Sequence, residues 1–214
     1  MNLEKKFKTP ILIIAWKRPQ KTEELINAIK EINPDNLYIA CDGPKNKNPE
    51  EDNKVRETRK LLLKSFKEVN KKKYLLSKNN QGCKLGVSNA VNWLFKHEKE
   101  GIILEDDCIP NDSFFEYCSV LLDRYSEDDR VFMISGDNGG PIINQDFFNN
   151  NSYLFTQVPL TWGWATWKNR WENFDSDLNL WNQPFRKTRK LFDGYSLFES
   201  YLIYKMLNRV SLRE

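Results

Sequence analysis

One histidine, His97, occurs among 214 residues, which excludes any metal site built from several imidazoles. The four cysteines, Cys41, Cys83, Cys108 and Cys118, form no CxxC pair; a zinc ribbon or thioredoxin-type redox motif is therefore not expected. Three of them fall in or beside apolar segments, so reduced core thiols are expected in place of disulfides. No run approaches the ~20 apolar residues that a membrane span requires. The opening Met1-Asn2-Leu3-Glu4-Lys5-Lys6 leads into no signal-like apolar region, so a cytoplasmic location is the expectation. Charge of one sign is scarce as well: 33 basic against 30 acidic residues leave a formal +3, which is no footprint of a nucleic-acid binder. The densest basic run, Lys71-Lys72-Lys73, reads as a solvated turn before a strand.

What the chain does have is 40% hydrophobic and 13% aromatic residues, enough for one substantial core and a single domain over residues 1–214. Ile11-Leu12-Ile13-Ile14-Ala15 is apolar without alternation, as in a strand covered on both faces. A helix opened by Thr22-Glu23-Glu24 carries Leu25, Ile29 and Ile32 on one face and closes before Pro34. Leu37-Tyr38-Ile39-Ala40-Cys41 is a second strand, ended by Asp42-Gly43-Pro44. Lys45 to Asn53 reads as an exposed loop, followed by a helix with Leu62, Phe66 and Val69 on one face. Tyr74-Leu75-Leu76 is a short strand and Asn79-Asn80-Gln81-Gly82 a loop. Val87, Ala90, Val91, Leu94 and Phe95 then follow helical spacing. Gly101-Ile102-Ile103-Leu104 is a buried strand running into Glu105-Asp106-Asp107. Ser113 and Glu116 form a capping box for a helix facing inward with Phe114, Cys118, Leu121, Leu122 and Tyr125. Val131-Phe132-Met133-Ile134 is a further long strand. This alternation predicts an α/β, Rossmann-like, mostly parallel sheet with helices on both faces, and past residue 145 a Trp-rich C-terminal add-on.

Open α/β sheets bind ligands at the carboxyl ends of their strands. Those ends carry Trp16-Lys17-Arg18-Pro19, Asp42-Gly43-Pro44, Glu105-Asp106-Asp107 and Asp137-Asn138. In a parallel sheet the acids converge on one rim, where mutual repulsion raises their pKa values unless a cation neutralises them. With neither histidine nor thiolate in prospect, the natural counter-charge for oxygen ligands is Mg2+ or Mn2+. Single acids at strand ends also serve as turn residues and helix caps, and Asp112 reads as one. Three acids in a row directly after a buried strand are harder to account for structurally.

Around Ile103-Leu104-Glu105-Asp106-Asp107-Cys108-Ile109-Pro110, followed by Phe114-Phe115, the chain resembles the metal-binding segment of GT-A-fold glycosyltransferases. The resemblance is in particular to the branch of the Golgi N-acetylglucosaminyltransferase that begins complex N-glycans, with its bacterial relatives. Ala15-Trp16-Lys17-Arg18-Pro19 is similar to the family's Arg-Pro element, and Asp42-Gly43-Pro44 to its nucleotide-contacting Asp-Gly. Gly82-Cys83-Lys84-Leu85-Gly86 stands ahead of the helix at the corresponding place. Ser135-Gly136-Asp137-Asn138-Gly139 and Thr161-Trp162-Gly163-Trp164-Ala165-Thr166-Trp167 match the post-metal strand and the Gly-Trp segment, so the resemblance spans roughly residues 8–180. It implies a GT-A fold and inverting transfer of a sugar from a nucleoside-diphosphate donor to a carbohydrate or lipid-linked acceptor, in surface-polysaccharide synthesis. It further implies Arg18 and Asp42 at nucleobase and ribose, Lys84 near the donor, Glu105 and Asp106 at sugar or ribose hydroxyls, and Asp107 on the metal.

The family's Trp-flanked base carboxylate has no counterpart before Glu214, which leaves room for a missing C-terminal portion. Trp181 is followed by Asn182, and Asp193 and Glu199 lie in an aromatic helical stretch. Asp137 is the in-sequence substitute for the base. Trp164, Trp167 and Trp171 recur at i, i+3 and i+7, the period of a buried helical stripe. Trp162, beside Gly163, reads as a loop residue at an acceptor pocket, with core the alternative. The competing function is a non-catalytic nucleotide-sugar-binding module. A sugar-1-phosphate nucleotidyltransferase would want a glycine-rich loop after the first strand, and Trp16-Lys17-Arg18-Pro19 has no glycine. A receiver domain would want its acid pair there too.

Overall fold

An unbroken aliphatic strand requires cover on both faces, and β1 (Ile11–Ala15) has it at the middle of a six-stranded sheet. The computed structural model describes residues 6–45, 48–137, 151–157, 159–176, 184–188 and 196–211; of Glu199 and residues 206–211 the backbone alone is described. Contacts divide the chain into two units, Met1–Glu172 and Asn173–Glu214. In the first, β2 (Asn36–Cys41), β3 (Lys71–Leu76), β4 (Glu100–Glu105), β5 (Ile134–Ser135) and β6 (Trp164–Trp167) join β1 in the order β3-β2-β1-β4-β6-β5. The four strands β1 to β4 are mutually parallel, and β6 runs antiparallel to both β4 and β5. The sheet is therefore mixed and mostly parallel.

Alternate residues of each strand serve different cores. Ile11, Ile13, Leu37, Ile39, Ile102 and Leu104 pack with α1 (Pro19–Glu31), α2 (Pro49–Ser65) and α4 (Asp112–Arg124) through Leu25, Ile29, Leu62, Phe115 and Leu122. Leu12, Tyr38, Ala40 and Ile103 face the other way, onto Ala90, Val91, Leu94 and Phe95 of α3 (Gly82–Phe95). Because α3 carries the chain from β3 at one edge back past β1 to β4, the strand order reverses between β1 and β4. That reversal makes the gap beyond their carboxyl ends the sheet's topological switch point.

Several sequence expectations are corrected. Lys71-Lys72-Lys73 is not a turn but the first half of β3, an edge strand. Lysines on an edge deter pairing with another chain. Helix α1 opens at Pro19 rather than Thr22, and α2 begins at Pro49, inside the expected loop, where the Asn48 side chain accepts the Glu51 N–H. The Ser113–Glu116 capping box and an Asp112 cap give way to Asn111, whose side chain accepts the Phe114 N–H at 3.1 Å. The segment Gly82–Gly86 forms the first turn of α3 instead of preceding it.

Of Val131–Ile134, Ile134 alone enters a strand, and Phe132 is 56% exposed. The tryptophan stripe is not helical. Trp164 and Trp167 are buried in strand β6 and point to opposite cores, as residues three apart in a strand must. Trp171 closes the short helix α5 (Lys168–Trp171), and its Nε1 donates to Asn92 Oδ1 at 2.7 Å.

The second unit contributes α6 (Phe185–Thr188) and α7 (Leu197–Ser211), with the Phe185 ring against Tyr201 and Tyr204. Trp181, Asp193 and the Glu199 side chain lie outside the described residues, as does Asn138. All four cysteines are free thiols, three of them buried, and Cys83 is exposed. Among the described residues, no helix is long and apolar enough to cross a membrane.

Candidate functional site

Strand β1 delivers Trp16-Lys17-Arg18 to the switch point, and Pro19 fixes the turn that follows. Proline at the first helical position costs α1 no hydrogen bond. The Arg18 carbonyl is held by both the N–H and the hydroxyl of Thr22, at 2.9 and 2.8 Å. Across the gap, β4 ends at Glu105, and a turn closed by Cys108 N–H on the Glu105 carbonyl presents Asp106 and Asp107.

The two ends meet through charge. Arg18 Nη1 donates to Asp106 Oδ1 at 2.9 Å and to Asp107 Oδ2 at 2.5 Å. The second Asp106 oxygen accepts the Trp16 N–H at 3.1 Å. Asp106 is thus a buried carboxylate held from two sides, its side chain 7% exposed, whereas that of Asp107 is 39% exposed. Burial pushes the Asp106 carboxyl upward, against the pull of Trp16 N–H and Arg18. Glu105 is raised too, first by burial and then by repulsion from Asp107 and Asp106, with Arg18 opposing. Among the described residues Arg18 is the cation paired with this acidic cluster, and it opposes the rise that burial and mutual repulsion impose on the carboxyls.

Trp16 went unnoticed in the sequence as more than part of a motif. Its indole Nε1 donates to the Gly43 carbonyl at 2.9 Å, and the ammonium groups of Lys17 and Lys45 lie 3.8 and 5.1 Å from its ring centroid. Lys17 also pairs with Glu51 at 2.6 Å. Glu51 accepts the Lys45 N–H besides, and the two contacts hold its carboxyl below the ordinary range.

Asp42, at the end of β2, spends its carboxylate on neighbours. It accepts N–H groups of Gly43, Gln81 and Gly82 and the Asn80 amide. It thereby caps α3, whose own N-cap residue, Gln81, makes no side-chain capping bond. Gly43 is required there because a Cβ would stand 2.4 Å from the Asn79 carbonyl carbon. Arg59, on α2, staples the same corner by donating to the carbonyls of Cys41, Asp42 and Ser77. Nothing in the local sequence singles it out. Lys84 is exposed on the first turn of α3, on the same side of the sheet's rim.

Asp137 follows β5, and Trp162-Gly163 precede the antiparallel β6, so all three belong to this rim. Gly136 N–H donates to the Gly163 carbonyl at 2.9 Å, tying the two segments together. Gly163 has φ of +71°, a conformation that favours glycine. Trp162 is 69% exposed, a loop residue and not core. Arg18, Asp106 and Asp107 are thus in direct contact, while Asp137 stands two strand positions from β4, ~10 Å by sheet spacing. A groove of about 440 Å³ lies at the opposite end of the sheet, between Lys8–Pro10, Glu100, Ser119 and Asp123, and touches none of these residues.

Among the described residues, no three His, Cys, Asp or Glu side chains are grouped to hold a metal ion unaided. Asp107 is instead paired with the Arg18 guanidinium, and a single carboxylate binds Mg2+ where phosphate oxygens supply further ligands. No protein-family model matches the chain, and no curated protein does.

Proposed function

We propose that the chain is a GT-A-fold glycosyltransferase, moving a sugar from a nucleoside diphosphate to a carbohydrate or lipid-linked acceptor with inversion, in cytoplasmic synthesis of surface polysaccharide. The observation that carries the reading is the Arg18–Asp106–Asp107 cluster at the β1/β4 switch point, where α/β sheets bind nucleotides. Arg18 and Lys84 meet the donor's phosphates and nucleoside, and Asp42 shapes that side of the rim through the turn it caps. Glu105 faces donor hydroxyls, Asp106 acts from beneath by holding Arg18 in place, and Asp107 is the ligand for Mn2+ or Mg2+. When bound, that ion offsets charge on the leaving diphosphate. The acceptor oxygen bonds to the anomeric carbon as the carbon–phosphate oxygen bond breaks, and a carboxylate takes the hydroxyl proton. Asp137 is the base in this scheme, with Trp162 and Gly163 at the acceptor. Trp164 and Trp167 belong to the sheet through β6, so the acceptor-side part of the tryptophan-rich stretch is in this scheme the exposed Trp162.

The separation of Asp137 from the acidic cluster favours a second reading, a nucleotide-sugar-binding module without turnover. Release of nucleoside diphosphate from a panel of nucleotide sugars, with Mn2+ and mixed glycan acceptors, separates the two. Transfer that fails with Asp107→Asn supports the enzyme; tight binding with no diphosphate released supports the module.

A further inference from the structure

Arg18 makes both of its ion pairs through one nitrogen. Nη1 donates to Asp106 and to Asp107, which uses both of its hydrogens, while Nε and Nη2 bond to none of the described residues. The side chain is 53% exposed, so three N–H donors remain on an accessible planar group, the geometry that suits a phosphate. The two carboxylates it bridges are not equivalent. Asp106 is buried and fixed from its other oxygen by Trp16 N–H. Asp107 is 39% exposed, and among the described residues its other oxygen has only the Cys108 thiol, at 3.9 Å. The Asp106 contact is the anchor, and the Asp107 contact is the one that can open.

We infer that Arg18 is an internal counter-ion for Asp107, handed over to the diphosphate when a nucleotide binds. A diphosphate that engages the free edge of the guanidinium draws it from Asp107 and leaves that carboxylate open to a divalent cation. Without the diphosphate, Arg18 and the cation compete for the same oxygen. Nucleotide and cation therefore bind weakly alone and tightly together, and the coupling is the same whichever arrives first. The inference rests on Asp107 being the metal ligand of the proposed function, and concerns what stands in that ligand's place beforehand.

Calorimetric titration with Mn2+ alone tests it on the full chain. Arg18→Gln removes the competitor, so Mn2+ should bind about fivefold more tightly than to the wild type, the scale of a half-exposed ion pair. Lys17→Gln removes one positive charge from the same rim without touching Asp107, and should leave Mn2+ affinity unchanged. With uridine diphosphate present, Mn2+ binding should tighten strongly in the wild type and much less in Arg18→Gln. Equal tightening by uridine diphosphate in wild type and Arg18→Gln, or Mn2+ alone binding Arg18→Gln no more tightly than the wild type, overturns the inference. Should Arg18→Gln not fold, the Arg18 Nε–H resonance of the wild type, identified by its loss in Arg18→Lys, must shift when uridine diphosphate and Mg2+ are added together; an unmoved resonance overturns the inference equally. If none of uridine, thymidine and guanosine diphosphates binds the wild type better with Mn2+ than without, the proposed function falls and the inference with it. If that enhancement is present but Arg18→Gln behaves as wild type, the inference alone fails.

Discussion

The Asp42 carboxylate at the end of β2 accepts the backbone N–H of Gln81, 39 residues further along the chain, at 3.0 Å. A negative charge at a helix N-terminus satisfies unpaired N–H groups and complements the helix dipole. Asp42→Ala should therefore cost about 1–2 kcal/mol. Asp42→Asn, which keeps an acceptor, should cost less. Urea unfolding of the two variants checks this; equal stability of Asp42→Ala and wild type would show that Asp42 does not hold the helix.

Two glycines at this corner make opposite predictions. Gly43→Ala places a Cβ 2.4 Å from rigid Asn79 backbone, so the loop must move, at roughly 1–3 kcal/mol. At Gly86, inside α3, a Cβ would have only ordinary contact with Asp42 Oδ2 at 3.5 Å. Gly86→Ala should gain roughly 0.5–1 kcal/mol from helix propensity. Thermal melts that rank the two variants in the reverse order would contradict the corner's described packing.

The cluster's electrostatics give a pH test. Glu105 has its carboxyl raised by burial and by Asp107 and Asp106. A carboxyl raised in the folded state contributes stability that is complete below its unfolded pKa and is lost as pH rises through the folded value. Glu105→Gln keeps a neutral group at every pH. Its stability should match that of the wild type near pH 4 and exceed it increasingly toward about pH 7. Chemical unfolding across that range reads the difference, and a constant gap between the proteins would refute it.

The tryptophans divide by burial. Trp167 is 4% exposed, with Nε1 bonded to the Leu122 carbonyl, and Trp167→Ala should cost about 3–5 kcal/mol. Trp162 is 69% exposed, and Trp162→Ala should stay within about 0.5 kcal/mol of the wild type. A large loss of stability in Trp162→Ala would place that ring in the core.

Strands β1, β2 and β4 were legible because unbroken apolar runs leave few alternatives, and α3 because five apolar positions share one face. The ends of those strands, and hence the acidic rim, followed from them. Less was legible where an element is short or its partner distant. Trp164, Trp167 and Trp171 satisfy a helical period by coincidence, since a four-residue strand joined to a four-residue helix gives the same spacing. Lys71–Lys73 hid a strand because an edge needs no apolar cover there. At α4, Asn111, Asp112 and Ser113 are adjacent capping residues, and only the backbone angles decide among them. The Arg18–Asp106 pair joins residues 88 positions apart, and the Asp42 cap joins β2 to α3. Neither has a local pattern, although the topology that creates both was readable.

The central claim is that Asp107 holds a divalent cation against a nucleoside diphosphate at the β1/β4 switch point. Calorimetric titration of uridine, thymidine and guanosine diphosphates, with and without Mn2+, on wild type and Asp107→Ala tests it most directly. The account predicts that at least one nucleotide binds the wild type tenfold or more tightly with Mn2+, about 1.4 kcal/mol, and that Asp107→Ala removes the gain. Binding as strong without Mn2+ as with it, or a gain that survives in Asp107→Ala, would contradict the account.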